Sequence, residues 1–186
     1  MRPVRLGPWR IDPDVREGVG RPLPIAVAAL ARAMAAALTA AGAPAPASIG
    51  LILSDDAELA TLNETHLGHD GPTDVLSFPL LPPEAFPPHP GDPDRGVAPA
   101  PGSPEAFMGP PGRRTHLGDV VVSVERAADQ AAEGRGGQTG DVRWSVADEL
   151  RLLVTHGTLH LCGWDHAERA EEREMRALEQ RLLAQG

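Results

Sequence analysis

The 186-residue chain has no lysine and no tyrosine, one asparagine (Asn63) and one cysteine (Cys162). A lone cysteine excludes an intrachain disulfide and makes the cytoplasm the expected compartment. No unbroken apolar run is long enough to span a bilayer. The stretch from Met1 to Arg10 lacks the charged-then-apolar layout of a signal peptide. No membrane partner is therefore expected. Every fixed side-chain cation is an arginine. Lysine, asparagine and tyrosine codons are AT-rich, so their scarcity reads as the bias of a GC-rich genome and says little about function.

What is present bounds the rest. The length suits one domain with a real core, 1–186, and is short for two. A formal net charge of −9 argues against broad, non-specific binding of polyanions, while leaving room for a local basic groove.

The most informative stretch is His156-Gly157-Thr158-Leu159-His160-Leu161-Cys162-Gly163-Trp164-Asp165-His166. On a helix, His156 and His160 lie one turn apart and project from one face, about 6 Å apart at the backbone. Gly163 supplies the left-handed residue that stops the helix and turns the chain back. That turn brings His166 towards the same point. Three imidazoles around one point make a zinc site with an open fourth position, the arrangement of catalytic rather than structural zinc. The pattern follows the long zinc-peptidase signature except at Gly157, where H-E-x-x-H carries its general-base glutamate. Cys162, at i+2 from His160, points to another helix face and reads as packing.

Around this motif the chain reads as a mixed α+β layer fold, with about four strands and about five helices. Expected strands are Val4 to Arg10, Ile49 to Leu53, Thr73 to Pro79 and His116 to Val124. Expected helices run from Leu23 to Ala41, from Ser54 or Asp55 through Leu67, from Ser123 or Val124 through Ala132, from Asp141 to Cys162 and from Ala167 to Leu183. Asp55 and Glu58 are spaced for a capping box. Met175, Leu178 and Leu182 should face inward on the last helix. Pro82 to Arg114 is dense in proline and glycine and reads as a loop insertion, ordered at its ends and dispensable for folding from Glu84 to Pro110.

Three segments together resemble the YbeY-type endoribonucleases, a family of ribosomal RNA maturation factors. They are Pro72-Thr73-Asp74-Val75-Leu76-Ser77-Phe78-Pro79, Leu117-Gly118-Asp119-Val120-Val121-Val122-Ser123, and His156 through His166. The match runs from about Ala47 to the C-terminus. The resemblance implies a small mixed sheet over a zincin-like metal helix, and one Zn2+ held by His156, His160 and His166. It implies a metal-dependent, single-strand-specific endoribonuclease acting in 16S rRNA 3′-end maturation and ribosome quality control. Partners implied are the small ribosomal subunit and assembly factors such as an Era-like GTPase. Two departures stand out. Leu67 occupies the position where the family usually carries an arginine thought to meet RNA phosphate. The Pro82 to Arg114 segment is longer than the family's usual connection.

For the chemistry, zinc lowers the pKa of a bound water towards about 7 and polarises a phosphoryl oxygen. Asp165, beside a ligand, reads equally as a proton-handling group and as the residue that fixes the turn. Asp74 and Asp119 read as structural caps at strand ends. Arg113, Arg114, His116 and Arg143 are candidates for an RNA path. Two other readings compete: a non-enzymatic, zinc-containing ribosome-assembly factor, and a hydrolase of another substrate on the peptidase-like scaffold. The missing glutamate counts against peptide hydrolysis, and an open coordination position counts against a purely structural metal.

Overall fold

The valine run Val120-Val121-Val122 is fully at home only in a strand covered on both faces, and it takes that place. A computed structural model describes residues 1–92, 114–134, 144–166 and 168–185. The valines lie in β5 (Thr115–Ser123), beside β3 (Ala47–Ser54) and β4 (Val75–Pro79), with β2 (Trp9–Val15) and β1 (Val4–Leu6) beyond. The sheet order is β1-β2-β3-β5-β4. Strands β2, β3 and β5 are parallel, and the two edge strands β1 and β4 are antiparallel to their neighbours.

Alternation sorts the side chains into two layers. Val121 pairs with Ile52 and Leu76 and packs against Leu59 of α2 (Asp56–Leu67). Val120 and Val122 face the other way, into the main core. That core is closed by Leu30 and Met34 of α1 (Val27–Ala40), Leu150 and Val154 of α4 (Val146–Leu161), and Met175 and Leu178 of α5 (Arg169–Leu183). Helix α3 (Val124–Ala132) adds Ala127. Each fully buried leucine-sized side chain contributes about 1.5–3 kcal/mol. The larger layer, which carries α4, therefore dominates stability.

The α+β class agrees with the sequence, but among the described residues the sheet has five strands rather than four. The expected Val4 to Arg10 strand is two, folded back at Gly7 and Pro8 so that Leu6 pairs with Trp9. Helix α1 begins at Val27 rather than Leu23; the ring of Pro24 disfavours a helical backbone at Leu23, and Leu23 and Ile25 pack on the core before the helix. Helix α4 begins at Val146, where Ser145 and Asp148 form a reciprocal capping box. At α2 only half of the expected box forms. Asp55 accepts from the Glu58 N–H at 2.9 Å. The Glu58 carboxylate instead accepts from Arg16 Nε at 3.2 Å and from the Ser54 hydroxyl.

The start of the Pro/Gly-rich segment departs furthest from expectation. Pro83–Ala85 form a 3-10 turn, and Phe86 after it is 0% exposed within the main core. His89 is buried, and its residue pairs with Asp92 in an isolated bridge. Residues 93–113 lie outside the described residues. Composition hid this anchor because one phenylalanine among prolines gives no periodic signal. Replacing 84–110 by a linker would therefore remove a core side chain. Phe86→Ala is expected to cost about 3–5 kcal/mol, as large aromatic truncations in cores do. Urea titration of the two proteins measures it, and a difference below about 1 kcal/mol would contradict this packing.

Candidate metal centre

The site is set by how closely α4 meets the sheet. A Cβ placed on Gly157 would come within 2.7 Å of Val120 Cγ1 and 2.9 Å of Val75 Cγ2. The Ser77 hydroxyl donates to the Gly157 carbonyl at 2.9 Å. Any side chain at that position, the peptidase glutamate included, would force helix and sheet to shift. With Gly157 turned to the sheet, residues one before and three after it share a flank of the helix. His156 and His160 are those residues.

The third histidine arrives by a helix ending. Gly163 takes φ 81°. The Gly163 N–H donates to the His160 carbonyl at 2.9 Å, and the Trp164 N–H to Leu159 at 3.1 Å. This is a Schellman ending, and glycine is the residue that adopts it without strain. The chain then returns to place one ring nitrogen from each of His156, His160 and His166 within 4.8 Å of one another. The Nε2 atoms of His156 and His160 are 3.0 Å apart.

The electrostatics suit a cation. Burial, followed by the neighbouring His156 and His166, lowers the His160 pKa to about 4. Asp165 and the Trp164 backbone oppose this only in part. His160 is thus a neutral imidazole at physiological pH. Three convergent imidazole nitrogens, two of them nearly in contact, fit a divalent ion of borderline softness such as zinc. Cys162 takes no part: it is 1% exposed in the core, and burial raises its thiol pKa to about 12.

Neighbouring groups hold the turn. The His166 N–H donates to Asp165 Oδ1 at 2.7 Å, so Asp165 shapes the segment that carries His166. The Asp165 N–H donates to Glu171 Oε1 at 2.8 Å. Trp164 stacks on His89 with ring centroids 3.9 Å apart, and His89 Nε2 lies 3.2 Å from Glu171 Oε1. His89, in the described start of the Pro/Gly-rich segment, thereby braces the turn that leads to His166. On the other flank, His156 Nδ1 lies 2.7 Å from Glu179 Oε1. Sequence reasoning missed Glu171 and Glu179. Their signal was available: both fall on the α5 face that carries Met175.

Of the other candidates, Asp74 lines the cleft but is engaged structurally. Its carboxylate accepts from the Val75 N–H at 2.9 Å and from Gln130 Nε2 at 3.0 Å. Asp119 lies 3.3 Å from His116 Nε2, and neither lines the cleft. Arg114 donates to the Pro8 carbonyl, at the turn between β1 and β2. An RNA path through Arg114 and His116 is therefore not brought to the histidines. Arg113 and Arg143 lie outside the described residues.

The triad opens into a cleft of about 1410 Å³ between α4, α5 and the β4 edge. Among the described residues its lining carries eight carboxylates and one arginine, Arg176, which is paired with Glu172 at 2.7 Å. Leu67 lines it and is 55% exposed. The depressed His160 pKa sets a pH dependence for the metal-free protein. Between its ordinary value of 6.5 and about 4, the unfolded chain takes up a proton that the folded state refuses. Stability is thus complete above that window and falls as pH drops through it. Denaturant titrations at pH 7 and pH 5 should show a smaller loss for His160→Asn than for the parent; equal losses would refute the assignment.

Comparison with known proteins agrees with this geometry. The family model described as Endoribonuclease YbeY matches residues 25–186. A protein of Salinispora tropica named Endoribonuclease YbeY is 43% identical over 136 residues, covering 73% of this chain and 72% of its own length. One of the same name from a Roseiflexus species is 40% identical over 136 residues, covering 73% and 68%. The solution structure of a Thermotoga maritima protein superposes with a TM-score of 0.50 at 20% identity, covering 94% of this chain and 90% of its own, which speaks for the fold. With the three histidines converging at the end of α4, the chain belongs to the Endoribonuclease YbeY family.

Proposed function

We propose that this chain is an RNA-cleaving hydrolase whose activity depends on one divalent ion, zinc by its donor set, held by His156, His160 and His166. The observation that carries the reading is the convergence of the three imidazoles in an open cleft, in a chain of this family. Such an ion, when bound, polarises a phosphoryl oxygen and activates water. The protein's own groups do the rest. Gly163 and Asp165 hold His166 in place, and the exposed Asp165 carboxylate is the group beside the triad available to carry a proton. Among the described residues the cleft gives polyanions little fixed positive charge, since Arg176 is already paired among carboxylates. Metal binding and substrate binding are therefore coupled: the cation supplies the charge that phosphate needs.

The substrate we assign is single-stranded RNA, in particular the 3′ end of 16S rRNA within the small ribosomal subunit. Assembly factors such as an Era-like GTPase are the proposed company, and the cytoplasm the proposed place. These rest on the family resemblance. Among the described residues, no helix is long and apolar enough to cross a membrane. The acidic cleft and Leu67 favour one second reading, a zinc-containing assembly factor without catalysis.

Cleavage assays separate the two. Zinc-loaded protein should cut a single-stranded RNA and spare a duplex. His160→Ala should lose most bound metal and at least about 100-fold in rate, a loss of roughly 2.7 kcal/mol in transition-state stabilisation. Full metal content in that variant would remove His160 from the ligand set; absence of cleavage by the loaded parent would favour the assembly factor. Leu67→Arg adds a cation at the cleft wall. It should tighten binding to a short single strand and steepen the salt dependence by about 0.7 in log–log slope. An unchanged slope would place the RNA backbone away from Leu67.

A further inference from the structure

Helix α5 buries two acids where a packing helix ordinarily presents aliphatic side chains. Glu171 and Glu179 are 7% and 8% exposed, on the face that also buries Met175 and Leu178. Carboxylates are rarely buried this far unless they are paired, because the charged form loses its hydration. For Glu179 the partner is direct: its Oε1 lies 2.7 Å from Nδ1 of His156. The other nitrogen of that ring, Nε2, points the opposite way and lies 3.0 Å from Nε2 of His160.

A free imidazole exchanges its proton between two nitrogens and rotates about its side-chain bonds. An imidazole whose Nδ1–H is committed to a carboxylate does neither, and its Nε2 lone pair becomes more basic. We propose that Glu179 is a positioning residue, which holds His156 in the Nδ1–H tautomer and aims Nε2 into the triad. The proposal rests on the metal-centre reading above and adds a residue from a different helix to it. Simple anchoring of α5 does not account for the contact, since α5 already reaches the main core through Met175 and Leu178. An aliphatic side chain at 179 would anchor the helix without the cost of burying a charge.

The full chain provides the test. Zinc affinity is measured by competition with a chromophoric chelator for the parent, Glu179→Gln and Glu179→Ala. The tautomer of His156 in metal-free protein is read from long-range 1H–15N correlations of the imidazole. Glu179→Ala is expected to lose about 10- to 100-fold in zinc affinity, the usual effect of removing a partner of a metal-bound histidine. Glu179→Gln keeps an acceptor of similar size but no charge; it should retain the Nδ1–H tautomer and fall between the other two. Unchanged affinity in both variants overturns the proposal, as does an Nε2–H tautomer in the parent. A parent that binds no zinc would sink the metal-centre reading instead, and the tautomer measurement would then still decide whether Glu179 orients the ring.

Discussion

Helix α4 rests on the edge of the sheet with nothing but a glycine hydrogen between its backbone and the side chains of Val120 and Val75. Most of the site follows from that contact. It fixes the rotation of the helix, because only the Gly157 face can approach so closely. The rotation puts His156 and His160 on the flank beside β4, where a cleft can open. The Ser77 hydroxyl on the Gly157 carbonyl pins the same point from the strand. A side chain at 157 would push helix and sheet apart, and the energetic loss would fall on the larger of the two core layers.

Charge is the second organising feature, and it runs against the expected ligand. His160, held neutral by burial and by its histidine neighbours, sits in a cleft whose described lining carries carboxylates. Such a site favours a small, hard-to-repel cation first and an anion only afterwards. The same acidic wall, in a chain of net charge −9, disfavours adventitious polyanions.

The sequence made some of this legible and concealed the rest for physical reasons. The histidine spacing, Gly163 and the valine run each carry a local signal: helical period, left-handed turn, doubly covered strand. These placed the triad and the centre of the sheet correctly. The β1–β2 hairpin resembles one strand in sequence because β1 is only three residues long, too short for a periodic signal of its own. Phe86 and His89 were hidden in a segment whose composition describes a loop, although two side chains in it reach the core and the metal turn. Glu171 and Glu179 share the helical face of Met175, a signal outweighed by the rule that charged residues on a helix are normally solvated. Leu67 lines the cleft wall and is exposed there.

The stack between Trp164 and His89 has an optical consequence. The chain has no tyrosine and three tryptophans, so its ultraviolet emission comes essentially from indoles. Trp9 donates to Thr39 beneath the N-terminal hairpin, Trp144 donates to Glu149 at the start of α4, and Trp164 is packed two residues before His166. Each indole therefore watches a different part of the molecule. The one in the turn is held face to face with a ring whose protonation and spacing alter its excited state. The turn that leads to His166 thus carries an intrinsic fluorophore, packed face to face on His89.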